Sequence, residues 1–227
     1  MIVSPVPGSP SASGQPPLVA DFTTYTTFTG CSATDAAGGL QVHVANTSGD
    51  NMDICLLQNA AFPAYPSTWT LTVGLTAGLT GVPSIVLAYG PYISVVDRTH
   101  GANHDIGVTF GLQGLSGDAL GTARAAYWEW GDIKNIPNRS GPGNAQFLPI
   151  NGNPPLPTVP LFIRLQFNGS NFIFGYGNTP SSLTTALTIS ATAFLTVPDG
   201  IGLLLVDRGV DSAGLTSTFN YYRLTTP

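Results

Sequence analysis

Leu161-Phe162-Ile163-Arg164-Leu165-Gln166-Phe167, followed by Asn168-Gly169-Ser170 and Asn171-Phe172-Ile173-Phe174-Gly175-Tyr176, is the stretch from which the fold is read. In its first seven residues Leu161, Ile163, Leu165 and Phe167 fall on one parity, the period-2 signature of a half-buried strand. Asn168 and Gly169 tolerate positive φ and turn the chain. The aromatic run 171–176 then returns, so the stretch predicts an antiparallel hairpin.

Outward from the hairpin the same grammar repeats. Gly39-Leu40-Gln41-Val42-His43-Val44 alternates, and Trp69-Thr70-Leu71-Thr72-Val73-Gly74-Leu75 does so with Trp, Leu, Val and Leu on one face. Residues 84–96 are apolar and rich in β-branched and aromatic side chains, with Gly90-Pro91 expected to break the run. Residues 107–112, 123–130, 185–197, 201–206 and 218–224 supply further strands. No segment carries a sustained helical period with caps, and short strands separated by Gly, Pro and Asn predict an all-β sandwich or barrel. Residues 131–160 hold Pro137, Pro142, Pro149, Pro154, Pro155, Pro157 and Pro160, and read as a long loop that is functional or binds a partner.

Residues 1–20, with Pro5, Pro7, Pro10, Pro16 and Pro17 among Ser, Gly and Val, read as an extended arm that builds no core of its own. The 227 residues suffice for one domain with a real core. Hydrophobic residues make up 43%, as in an ordinary globular chain, but charged residues make up only 8%, against the usual quarter or so. Seven basic and 12 acidic residues leave a net charge of −5. The scattered basic residues make no patch, which argues against nucleic acid. No apolar run reaches the roughly 18 residues of a membrane span. The N-terminus lacks the charged and apolar regions of a secretion signal, so retention in the cytosol or release inside a lytic virus particle is expected. Cys31 and Cys55 sit near predicted strands. Two cysteines make no framework, so free buried thiols are the default and a bond between them stays open.

Three C-terminal features carry a family likeness: the strand Phe162-Ile163-Arg164-Leu165 with its Asn-Gly turn, then Gly200-Ile201-Gly202-Leu203-Leu204-Leu205, then Phe219-Asn220-Tyr221-Tyr222-Arg223-Leu224. Their order resembles the concanavalin A-like lectin/glucanase superfamily and its "IGL … FDYFRV" ending, with Asn220 where Asp is common. Phe22, Gly39-Leu40 and Trp69-Thr70-Leu71-Thr72-Val73 fit the earlier strands more loosely. The resemblance spans about residues 21–225. It implies a two-sheet antiparallel jelly-roll sandwich, concanavalin A-like, over residues 21–227 behind the arm. It implies little about function, because lectins, glycosidases, polysaccharide lyases and adhesion modules share such a fold.

The enzymes of that superfamily need motifs that this chain lacks. Its retaining glycosidases place Glu-x-Asp-x-x-Glu on one strand. Here Glu129 is the single glutamate, and Asp132, three residues on, has the opposite strand parity. The lyase motifs of Arg, Gln, His and Tyr are missing as well, so no enzymatic activity and no catalytic residue is expected. Asp97, His100, His104 and Asp105 could ligate a metal, and the Asp207–Asp211 loop could hold Ca²⁺ through oxygen donors. The spacings match no established metal motif, and polar surface loops are the competing reading. Tyr92, Tyr127, Trp128 and Trp130 could stack on sugar rings, although alternation buries one parity of 127–130.

Together these features favour a non-enzymatic structural or adhesion protein of a bacteriophage virion: a capsid decoration, fibre or tail component at the particle surface. Its expected partners are other virion proteins through the arm, sister subunits in a homo-oligomer, and a host-surface glycan. No cofactor is expected beyond Ca²⁺. A carbohydrate-binding lectin module is the alternative, and an unusual glycan-active enzyme built on Glu129 and Asp132 is the third reading.

Overall fold

The computed structural model describes residues 14–24, 30–45, 53–59, 67–80, 90–97, 106–113, 124–131, 161–190, 200–207 and 214–227. Among them thirteen strands occur: β1 (Phe22–Thr24), β2 (Cys31–Ala36), β3 (Gly39–Val44), β4 (Asp53–Asn59), β5 (Trp69–Thr80), β6 (Gly90–Asp97), β7 (Ile106–Gln113), β8 (Arg124–Gly131), β9 (Leu161–Phe167), β10 (Asn171–Thr179), β11 (Ser182–Ser190), β12 (Gly200–Asp207) and β13 (Leu215–Thr225). They form a six-stranded sheet, β1-β4-β12-β6-β7-β8, and a seven-stranded sheet, β11-β10-β9-β5-β13-β3-β2. Every pairing between these strands is antiparallel. The chain passes repeatedly from one sheet to the other, which gives the expected two-sheet jelly-roll sandwich.

The hairpin that decides the fold is β9–β10. Phe167 stands opposite Phe172, and Leu165 opposite Phe174. Asn168 fixes the turn: its Oδ1 accepts from the Ser170 and Asn171 amides at 3.1 and 2.8 Å, while Gly169 takes φ +95°. The next strand matches in register, with Trp69 opposite Phe167 and Leu71 opposite Leu165. Trp69, Phe167 and Phe172 pack as a ring cluster with centroids 5.2–6.3 Å apart. Facing them across the core, Leu203 lies between Leu57 and Ile93, and Leu205 stands opposite Cys55. All of these side chains are buried. Burial of each large one is worth roughly 1.5–3 kcal/mol.

Several polar and covalent ties join the two sheets. A disulfide links Cys31 of β2 to Cys55 of β4, with Cα atoms 4.9 Å apart, correcting the default expectation of free thiols. The pair closes because β2, an edge strand of one sheet, passes over the edge of the other. Asn59 of β4 donates through Nδ2 to the Tyr222 hydroxyl of β13 at 2.6 Å. Burial holds that phenol well above its usual range; the Asn59 hydrogen bond pulls the other way, and the Asp21 charge adds to the rise. Phe22 meets Tyr222 edge-on at 5.5 Å.

Sequence and structure differ in instructive places. β1, β2 and β4 have no clean alternation to read: β2 (Cys-Ser-Ala-Thr-Asp-Ala) is half-buried at best along its length. Gly90-Pro91, expected to break the apolar run, opens β6 instead; residues 84–89 lie outside the described residues. Of the arm, residues 14–20 are described and lie on the domain. The Tyr222 amide donates to the Gln15 carbonyl at 2.9 Å, beside the part of β13 that β3 does not reach. Pro17 is buried, and the Val19 amide donates to Asp35 Oδ1 at 2.7 Å. Residues 1–13 lie outside the described residues. No described helix is long and apolar enough to cross a membrane.

Candidate functional site

The predicted sugar-contacting aromatics all stand in the six-stranded sheet, in different rows. Tyr127 pairs with Phe110, which pairs with Ile93, in the row of buried Leu203. Trp128 pairs with Thr109 and Trp130 with Gly107, in the alternate rows of Ser94 and Val96. Tyr92 stands opposite Leu204 and Gly111. Leu204 is of the opposite parity to Leu203 and Leu205, yet all three are fully buried. β12 is therefore shielded on both sides, and the outer side of this sheet is closed at its middle strand.

Of the predicted metal ligands only Asp97 and Asp207, one from each candidate loop, are described. Asp97 ends β6 beside the start of β12, whereas Asp207 ends β12, opposite Asp53. The two loops leave opposite ends of the sheet. His100, His104, Asp105 and Asp211 lie outside the described residues. Among the described residues no three His, Cys, Asp or Glu side chains gather to hold a metal. Glu129 stands opposite Val108 in β7, and Asp132 lies outside the described residues.

The outer face of the seven-stranded sheet is different in character. Strand alternation sends Trp69, Leu71, Val73 and Leu75 to the core and puts Thr70, Thr72 and Gly74 on the opposite parity, where Thr70 is half-buried while Thr72 and Gly74 are covered by their neighbours. Register then sets three parallel rows across β13, β5, β9 and β10. The first is Tyr221–Gly74–Phe162–Gly177, the second Arg223–Thr72–Arg164–Gly175, and the third Thr225–Thr70–Gln166–Ile173. Because cross-strand partners share a face, these rows form one continuous surface. It is rich in hydroxyls and amides.

Glycines shape the first two rows. A Cβ on Gly74 would stand 2.7 Å from Asn220 Oδ1 and 2.8 Å from Phe162 Cε1. Its absence lets Phe162 and Tyr221 meet edge-on, with centroids 5.4 Å apart. On the other side of Tyr221, Gly14 at φ +70° brings the N-terminal segment against the ring. Tyr221 is thus fixed as a wall. A Cβ on Gly175 would stand 3.3 Å from Arg164 Nη2 and 3.6 Å from its Nε, so the guanidinium lies over the bare backbone of β10.

Arg164 is half-buried, and its Nε is fully buried with no hydrogen-bond partner; Asn220 Oδ1 is in the same condition. A buried guanidinium N–H without an acceptor is unusual, because such groups normally find one. Beside this row, Thr68, Thr70, Gln166, Asn168 and Thr225 line a pocket of about 380 Å³ at the end of the sheet. The Thr225 hydroxyl donates to the Thr70 carbonyl at 3.4 Å. The described part of the sheet holds one carboxylate, Asp35, on the edge strand β2, engaged by the Val19 amide.

Sequence reading missed this site. Thr70, Thr72, Gln166, Arg164, Tyr221 and Arg223 look like the solvated parity of half-buried strands. The available signal was glycine inside strands, at Gly74 and Gly175, which often marks a close approach.

No protein-family model matches the chain, and no curated protein matches it. Among solved structures, a functionally unknown protein from Saccharomyces cerevisiae is similar in fold. Its TM-score is 0.53 at 11% identity, covering 93% of this chain and 99% of that one. The VIP36 exoplasmic/lumenal domain is also similar, in its Ca²⁺/Man-bound form (TM-score 0.43, 12% identity, 91% and 82% covered) and its Ca²⁺-bound form (TM-score 0.43, 12% identity, 91% and 83% covered). At such identities the likeness speaks to fold alone.

Proposed function

We propose that this protein is a non-enzymatic saccharide-binding module whose site is the outer face of the seven-stranded sheet. The observation that carries the reading is the Arg164 neighbourhood: a half-buried guanidinium held over Gly175, beside the half-buried Thr70 and Gln166. Sugars present closely spaced hydroxyls that both donate and accept. A surface of Thr hydroxyls, a Gln amide and a planar guanidinium offers complementary partners, and the Tyr221 wall bounds it on one side. The adjoining pocket has room for a sugar-sized group at its end.

A binding role also fits what the sequence withholds. One glutamate in 227 residues leaves no Glu pair for glycoside hydrolysis. The Cys31–Cys55 bond suits an oxidising setting outside the reducing cytosol, which is compatible with display on a particle or cell surface. The described part of the N-terminal arm, residues 14–20, packs on the domain itself, and the binding module takes precedence over attachment to a virion as the reading.

The test is a panel of bacterial surface polysaccharides probed with labelled protein, with and without Ca²⁺. Specific binding that is lost on Gln166→Ala and Arg164→Ala, but kept on Trp128→Ala, is expected. Binding lost only on Trp128→Ala or Trp130→Ala would move the site to the six-stranded sheet. No binding to any polysaccharide would overturn the reading.

A further inference from the structure

We propose that this face selects carboxylate-bearing glycans over neutral ones, with Arg164 and Arg223 as the paired anchors; the inference rests on the saccharide-binding reading above. The chain carries 12 acidic residues against seven basic ones, so an acid-poor face with two arginines is not what its composition leads one to expect. Yet Arg223, Thr72 and Arg164 stand in one cross-strand row. Two strand spacings separate the arginines, about 10 Å. Among the described residues no carboxylate pairs with either one, and the sheet's single described acid, Asp35, is two strands beyond β13 on the far edge.

The two anchors differ in kind. Arg223 is exposed and would act at long range, drawing an anionic chain to the sheet. Arg164 is half-buried and held over Gly175, opposite Thr72 on β5, so its guanidinium is pre-positioned. A carboxylate meets a guanidinium in a planar, two-pronged geometry that a neutral hydroxyl does not reproduce. Gln166 and Thr70, half-buried in the next row, would take the ring hydroxyls. In a chain of net charge −5, an acid-poor strip that carries two arginines would accept polyanions.

The experiment compares binding of the full chain to oligogalacturonate and oligomannuronate with binding to the same oligomers after carboxyl reduction. Arg164→Lys, Arg164→Gln and Arg223→Gln are measured alongside, each checked for an unchanged thermal melt. The expected result is binding to at least one acidic oligomer that weakens with salt and falls about tenfold or more on carboxyl reduction. Arg223→Gln should weaken it, and Arg164→Lys should weaken it although the charge is kept, because the planar fork is lost. Equal binding to acidic and reduced oligomers would overturn the inference while leaving the saccharide-binding reading in place. Binding confined to neutral polysaccharides would do the same. Binding to polyglutamate as tight as to the acidic oligomers would overturn it in favour of a general polyanion surface. If no saccharide of any class bound, both readings would fall.

Discussion

Reduction of the Cys31–Cys55 bond should destabilise the domain by about 3.5 kcal/mol. The two cysteines are 24 residues apart, and cross-linking a loop of that length removes about 11.6 cal/mol/K from the unfolded chain in the loop-entropy model. For a domain of this size the loss corresponds to a fall of roughly 7–14 °C in Tm. Reduction is a cleaner perturbation than mutation, because both sulfurs keep their volume and Cys55 stays packed between the sheets. The assay is calorimetric or fluorescence-detected melting with and without reductant, thiol titration confirming two free groups. In denaturant, reduction should also raise the m-value, since the released unfolded chain exposes more surface. An unchanged melt with two titrated thiols would refute the reasoning. It would mean that β2 and β4 are held together by packing alone.

Three further outcomes are expected. Tyr222→Phe removes the Asn59–Tyr222 bond between the sheets and should cost about 1–3 kcal/mol in denaturant melts. Because burial raises the folded Tyr222 pKa, its neutral form contributes fully below the unfolded value of about 10 and loses ground as pH rises above it. Wild-type stability should therefore fall more steeply than that of Tyr222→Phe at alkaline pH, and parallel curves would contradict the assignment. Leu203→Ala, in the core between Leu57 and Ile93, should cost about 2–5 kcal/mol, read from the urea midpoint. Gly175→Ala would push a methyl toward the Arg164 guanidinium and within 2.9 Å of the Thr184 backbone carbonyl, so it should lower both Tm in thermal melts and saccharide affinity in titration calorimetry; unchanged values of both would contradict the close approach.

The fold was legible where one face of a strand is buried and the other is not. β3, β5 and β9 were read from their period because their sheet has a core side and an open side; β13, with register shifts between Thr216 and Thr218 and between Phe219 and Tyr221, was read only as a closing strand over 218–224. β12 was legible for the opposite reason, since burial of Ile201 through Leu205 on both sides gives a continuous apolar run. β2 was not legible, because an edge strand with no fully buried side chain leaves no hydrophobic trace, and β1 was marked only by Phe22. The Cys31–Cys55 pairing was open because it depends on how two sheet edges pass each other, which no local pattern encodes.

The candidate site was legible only in its negative part. A lone Glu129 spoke against hydrolysis at the sequence level. The positive part required register: Arg164 and Thr72 are 92 residues apart, and Thr72 and Arg223 are 151 apart, along neighbouring steps of one row. Aromatic residues drew the sequence reading to Trp128 and Trp130, since large rings are conspicuous in a sequence and a set of threonines is not.

On the proposed function a saccharide docks on β5, β9 and β13. Hydrogen exchange of backbone amides, with and without a polysaccharide that binds, tests it most directly. The account predicts added protection at the edges of the Thr70–Gln166 and Thr72–Arg164 rows and in the 168–170 turn, with β7 and β8 unchanged. Protection confined to β7 and β8, with β5, β9 and β13 unaffected, would contradict it.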